Sequence, residues 1–166
     1  ASTPSTTQRA LRGSPTRKEM PTGWSFDVAE LRVLAPARTY LEKLLILHGT
    51  HCGYRDTQRL PTDKDRISRH DYDAAMITPT EIGQNARADG FLLDSVRTHN
   101  LIAFKQAWKK FEEAVPGTLR LVPQGTLCTV IRRDDQAMQG MMLGDAPAFD
   151  WIIRQLQDAE DAINRR

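Results

Sequence analysis

Cysteine is scarce: only Cys52 and Cys128 occur in 166 residues, far apart in sequence. That excludes a disulfide framework and makes a reducing, cytoplasmic compartment the expectation. Long apolar runs are missing too. No stretch reaches the 18 or so residues a membrane-spanning helix needs, so no membrane role is expected. The N-terminus has no apolar core of the kind a signal peptide carries. The chain starts at Ala1 without a methionine, which reads as a processed or excised piece, or one whose true start is missing. Strong charge of one sign is lacking as well. Formal net charge is +2, and residues 1–19 hold Arg9, Arg12, Arg17 and Lys18 against Glu19. The basic excess therefore sits in a tail, and the remainder has no strong overall pull on nucleic acid.

Strand candidates are also few. Trp24–Leu34 (WSFDVAELRVL) and Leu119–Val122 (LRLV) have the composition of strands. Isolated strands are unstable, so the shortage suggests that part of a sheet lies outside this chain. Residues 1–23 are rich in Ser, Thr, Pro and Arg and nearly empty of large apolar groups. Such a segment buries too little to offset its ordering entropy and reads as a disordered tail. Residues 24–166 read as one mostly helical domain. The fold class expected is mainly α with a small β component.

Helical patterns fill most of that domain. Pro36 suits the first turn of a helix running to about His48, with Gly49, Gly53 and Pro61 punctuating a polar loop after it. A second helix is expected over about Asp63–Ile77. Thr80 can cap a short helix through Ala88, and Asp89 can cap one that continues, with a possible break, to Ala114. Thr126 opens another helix. Asp145 and Pro147 precede the last, in which Trp151, Ile152, Leu156, Ala159 and Ile163 share a face.

Polar chemistry concentrates between Arg38 and Asp73. In the first helix, Glu42 and Lys43 sit inside the apolar run Leu41–Leu47. Buried charges are costly unless paired or used. A plain reading is an Arg38–Glu42 pair at i,i+4, with Lys43 reaching solvent. In the second helix Arg66, Arg69, His70 and Asp73 are spaced to share a face. Two arginines and a histidine beside a carboxylate suit phosphate oxygens and a metal or a base, although a solvated face with an Arg69–Asp73 pair is the plain alternative. His48, His51 and Cys52 are ligand-type residues but lack a second cluster to complete a zinc site. Trp108-Lys109-Lys110-Phe111 mixes basic and aromatic groups, and adjacent acids favour a half-exposed amphipathic helix. Met138, Met141 and Met142 read as core.

The segment Arg38-Thr39-Tyr40-Leu41-Glu42-Lys43, followed by Arg66-Ile67-Ser68-Arg69-His70-Asp71-Tyr72-Asp73, resembles two motifs of the AbiEii/AbiGii-type nucleotidyltransferase toxins. The similarity extends over most of the chain from Trp24, including Phe104–Leu119 and Met138–Met142. It implies the helical C-terminal part of a nucleotidyltransferase-fold protein. Such enzymes transfer a nucleoside monophosphate from a nucleoside triphosphate (NTP) to an acceptor, tRNA for some members, and pair with a cognate antitoxin. By the resemblance, Lys43 touches triphosphate oxygens and Asp73 assists catalysis, with Arg38, Glu42, Arg66 and Arg69 as nucleotide-binding neighbours. NTP and Mg²⁺ are expected for the complete family enzyme.

The match breaks upstream. The family's Gly-rich turn and its Mg²⁺-holding Asp-x-Asp pair are absent before the first strand. Asp71-Tyr72-Asp73 has that spacing, but alternate helical residues point about 200° apart, and Asp71 stands where the family pattern has tyrosine. No residue is therefore assigned to a metal. The expectation is a C-terminal portion that is incomplete on its own. The alternative is a non-catalytic helical module that binds an antitoxin or RNA.

Overall fold

A computed structural model describes residues 34–59, 66–104, 106–141 and 144–166. The expected tail (residues 1–23) and nearly all of the strand candidate Trp24–Leu34 lie outside the described residues. The described part is mainly α, as expected from sequence. Six α-helices follow in order: α1 (Pro36–Thr57), α2 (Ser68–Ile77), α3 (Glu81–Ala88), α4 (Gly90–Ala103), α5 (Gly125–Met138) and α6 (Phe149–Asn164). Short 3₁₀ turns occur at Ala107–Lys109, Phe111–Glu113 and Gln139–Met141.

α1 is the central element. Pro36 occupies its first turn, where a missing N–H costs nothing, and Gln58 ends it in a left-handed conformation (φ 54°). Tyr40, Leu41, Leu44, Leu45 and Leu47 are buried around most of its circumference. It packs on α2, α3, α4 and the 3₁₀ turn Ala107–Lys109, while α2 also packs on α5 and α6. From α6, Ile152, Leu156, Ala159 and Ile163 enter the same core, and Trp151 lies half-buried against it. A smaller cluster joins Ile67, Leu127, Ile131 and Phe149.

α1 runs nine residues beyond His48, through both glycines that read as punctuation. Close approach explains them. A Cβ on Gly53 would stand 2.5 Å from Trp108 Cε3, and one on Gly49 would stand 3.1 Å from Lys109 Cβ. The glycines let the 3₁₀ turn lie directly on the helix.

The capping residues fall where expected. Thr80 Oγ1 accepts from Gly83 N–H at 3.2 Å, and Asp89 Oδ1 accepts from Leu92 N–H at 2.9 Å. α4 stops at Ala103, so the break that the sequence allowed falls there, and two 3₁₀ turns around Lys110, which has φ 49°, carry the chain on to Ala114. Met141 is exposed rather than core.

No strand forms among the described residues, and this includes Leu119–Val122. Side chains from two helices replace a strand partner. Asn164 Oδ1 accepts from Leu119 N–H at 3.1 Å, and its amide donates to Leu119 O at 2.9 Å. His48 Nδ1 accepts from Arg120 N–H at 3.1 Å. Glu160 Oε2 accepts from the N–H groups of Leu121 and Val122. Buried backbone donors need partners, and here they find them without a sheet.

Candidate nucleotide-handling site

The packing of α2 on α1 brings Lys43 and Asp73 together, 30 residues apart in sequence. Lys43 Nζ lies 2.8 Å from Asp73 Oδ2. The same ammonium lies 3.3 Å from His70 Nδ1, one helical turn before Asp73. An ammonium has no lone pair, so it donates and Nδ1 accepts, leaving the imidazole proton on Nε2. Burial holds the His70 pKa down to about 4, helped by the positive charges of Lys43 and Arg69, while Asp73 partly opposes them. His70 is therefore neutral near pH 7. The Lys43 and Asp73 side chains keep 23% and 42% of their surface exposed, so an incoming ligand can reach the pair.

The other residues singled out from sequence divide. Arg38 Nε donates to Glu42 Oε1 at 3.1 Å, forming the expected i,i+4 pair one turn before Lys43. Arg69 is exposed on α2. Arg66 is not on the helix, because α2 begins at Ser68; its φ of 64° turns the chain into the helix instead. The expected shared face of Arg66 with Arg69, His70 and Asp73 therefore does not form. Asp73 pairs across helices with Lys43, in place of an Arg69–Asp73 pair along α2.

A distant carboxylate sets the start of α2. Ile67 offers no capping side chain. Asp134 from α5 accepts from Ser68 N–H at 2.8 Å, Ser68 Oγ at 2.7 Å and Arg66 N–H at 2.9 Å. A carboxylate in this position satisfies first-turn donors and complements the helix dipole.

Asp71 faces away from solvent at 1% exposure. Neither of its oxygens makes a hydrogen bond of good geometry to a described residue. Burial pushes its pKa well above the ordinary carboxyl range; its own backbone offsets this in part, and the negative charges of Asp135 and Asp134 add to it.

Lys109 is the contributor that sequence reasoning assigned to an amphipathic surface. Its ammonium sits 5.4 Å from the Trp108 ring centroid, 5.6 Å from Phe104 and 5.8 Å from Phe111. Burial lowers its pKa, and its charge is felt at His70. The basic–aromatic interleaving of Trp108–Phe111 was the signal. It marks a cation held among rings, whose charge reaches His70.

His48 belongs to the core. Since Nδ1 accepts from Arg120, Nε2–H donates to Lys110 O at 3.1 Å. Both ring nitrogens are thereby used. Among the described residues no three His, Cys, Asp or Glu side chains converge as metal ligands. At the Lys43 site Asp73 is already ion-paired, and Asp71 is buried toward the α5 acids. The described residues do not by themselves fit a Mg²⁺ site.

A helical domain that presents a lysine–carboxylate pair and a neutral histidine to ligand is suited to handling phosphate groups. The sequence profile of the family described as "Nucleotidyl transferase AbiEii toxin, Type IV TA system" matches residues 6–155. The chain belongs to this family. No curated protein and no solved structure matches it. No helix among the described residues is long and apolar enough to cross a membrane.

Proposed function

We propose that the protein serves nucleotidyl transfer from an NTP to an acceptor of the tRNA class, and that it acts as the toxin opposite a cognate antitoxin. The observation that carries this reading is the Lys43–Asp73 contact at 2.8 Å, made by two helices that lie within the residues matched by the family. In this reading Lys43 neutralises charge growing on the departing pyrophosphate, where a preplaced cation lowers the barrier most. Asp73 orients the ammonium, and His70 holds it from the other side with its Nδ1 lone pair. Arg38, Glu42, Arg66 and Arg69 are the surrounding nucleotide contacts, with Arg38 held by Glu42. Carboxylate ligands for Mg²⁺ come from outside the described residues, so the site is incomplete with these residues alone.

The test is transfer from each of the four α-labelled NTPs to total tRNA with Mg²⁺. Labelled tRNA with the parent chain, and loss of about a hundredfold or more in Lys43→Ala, is the expected result. Labelling that survives Lys43→Ala would remove Lys43 from the chemistry.

A second reading is a helical module that docks an antitoxin or RNA without catalysis. It is favoured by large apolar side chains left exposed on and just after α4, namely Phe91 at 86%, Ile102 at 71% and Phe104 at 48%. Antitoxin binding by a chain that neither binds NTP nor labels tRNA would select it.

A further inference from the structure

A cleft of about 300 Å³ opens where the chain leaves α4, lined by Leu101, Phe104, Gln106, Ala107, Phe111 and Glu112. Its volume lies at the lower end of small-molecule sites, about 300–1,000 Å³, and suits one aromatic heterocycle. Lys43, His70 and Asp73 do not line it, and neither do the exposed Phe91 and Ile102.

The backbone builds this cleft. α4 ends at Ala103, and Gln106 N–H donates to Phe104 O at 2.7 Å, closing a tight bend directly after the helix. Two 3₁₀ turns follow, and the left-handed Lys110 between them redirects the chain at Phe111. Phe111 is buried, whereas Phe104 keeps 48% of its surface exposed. One ring is thus fixed in the core and the other stands at the opening. The turns are tied to α1, because His48 Nε2–H donates to Lys110 O at 3.1 Å and Trp108 lies against Gly53. The floor of the cleft is therefore in place before any ligand arrives, which lowers the ordering cost of binding.

Three kinds of group meet here. The rings of Phe104 and Phe111 are flat apolar faces on which a heterocycle stacks. Gln106 and Glu112 are exposed polar residues in the lining. An amide both donates and accepts, while an ionised carboxylate only accepts. A base edge with an exocyclic amino group satisfies that pair. Uracil presents a carbonyl at the same position and faces the carboxylate with a second acceptor. Glu112 is only loosely held, 3.9 Å from Lys110 Nζ, so its oxygens remain available.

The third kind of group is cationic. Lys109 Nζ lies 5.6 Å from the Phe104 centroid and 5.8 Å from that of Phe111, yet Lys109 does not line the cleft. Burial lowers its pKa with no described carboxylate opposing the shift. Lys110 adds a second ammonium beside Glu112. An aromatic cleft next to positive charge is complementary to a strand that carries phosphates on either side of its base. An apolar peptide side chain uses the rings and leaves Lys109 without a counter-charge.

We propose that the Phe104–Phe111 cleft binds one unpaired, amino-bearing base of a single-stranded RNA. The base stacks on Phe104 and its amino group donates to Glu112. Gln106 bonds to the adjacent ring nitrogen, and the flanking phosphates lie at Lys109 and Lys110. That the strand is RNA rests on the tRNA-class acceptor proposed above; the preference for an amino-bearing base rests on the cleft alone.

The experiment is fluorescence anisotropy of labelled cytidine and uridine hexamers with the full chain, at several salt concentrations. The cytidine hexamer is expected to bind about tenfold tighter than the uridine hexamer, the size of one good edge contact. Glu112→Gln removes that preference, because the amide also donates to the uracil carbonyl. Phe104→Ala, a change at an exposed ring, weakens the cytidine hexamer about tenfold through lost stacking. Lys109→Met keeps the apolar stem and makes the dependence of log Kd on log salt shallower by about 0.7. Lys43→Met leaves hexamer binding unchanged, so failure of the transfer reading and failure of the cleft show in different measurements. Equal binding of the two hexamers, or no effect of Phe104→Ala, would overturn the proposal. So would loss of hexamer binding in Lys43→Met, which places the strand at the Lys43 site. A dimer in sedimentation that Phe104→Ala splits, with no hexamer bound by the parent, would overturn it too, since a second copy then fills the cleft.

Discussion

Lys43 of α1 and Asp73 of α2 form an ion pair at 2.8 Å that keeps one edge open to solvent. Exposed pairs contribute about 1 kcal/mol or less to stability. Lys43→Met and Asp73→Asn should therefore each lower unfolding free energy by no more than about 1 kcal/mol in urea melts. If the pair is part of the proposed site, transfer should fall by about a hundredfold or more in both variants. A large stability loss with unchanged transfer would make the pair architectural. Arg69→Gln provides a milder comparison, since Arg69 helps keep His70 neutral without touching the pair.

The glycines of α1 allow a graded packing test. In an open helix, glycine to alanine gains about 1 kcal/mol. At Gly53 the new methyl would lie 2.5 Å from the indole of Trp108, whose position is held by the 3₁₀ turn. Overpacking of this kind costs about 1–3 kcal/mol, so Gly53→Ala should destabilise. At Gly49 the neighbour is the flexible Lys109 stem at 3.1 Å, which can move aside. Gly49→Ala should be close to neutral. Thermal melts of the two variants give the order, and equal effects would contradict the close-approach explanation.

Those glycines also show where sequence legibility ends. Pro36, Thr80, Asp89 and the α6 stripe were readable because each acts through neighbours within one or two turns. Gly49 and Gly53 looked like helix breakers because their reason lies in residues 55–60 positions downstream. Leu119–Val122 looked like a strand because its composition is that of a strand. Its backbone is instead held by His48, Glu160 and Asn164, and no local pattern announces such partners. The resemblance of two motifs singled out Lys43 and Asp73, and the structure brings the two side chains into contact. Arg66 was placed on the wrong element because Asp134, 68 residues away, sets where α2 begins.

Asp134 accordingly controls the helix that carries His70 and Asp73. Its carboxylate takes two backbone N–H groups and one hydroxyl at the start of α2. Replacing a capping side chain by alanine costs about 0.5–2 kcal/mol. Asp134→Ala should fall at the upper end of that range, because three hydrogen bonds go at once. Fraying of the first turn would also displace His70. Hydrogen exchange of the Arg69–Tyr72 amides should accelerate in Asp134→Ala while the α6 amides stay protected. Uniform acceleration across both helices would mean global destabilisation and not a local cap.

Asp71 is a buried carboxyl whose folded pKa is raised well above 3.8, chiefly by desolvation. The folded state therefore keeps its proton to higher pH than the unfolded state does. Where the folded state binds more protons, stability falls as pH rises. The contribution is intact below the unfolded carboxyl pKa of about 4 and is lost progressively up to the raised folded value. Asp71→Asn cannot ionise and escapes that loss. The variant should melt above the parent at pH 8. The difference should shrink as pH falls toward 4. Acid loosening from the buried neutral histidines His48, His51 and His70 runs in the opposite direction: their lowered pKa values make stability fall as pH drops below about 6.5. It is common to both proteins and cancels in the comparison. A melting difference that stays constant from pH 4 to 8 would show that Asp71 is ionised in the fold, held by a partner outside the described residues.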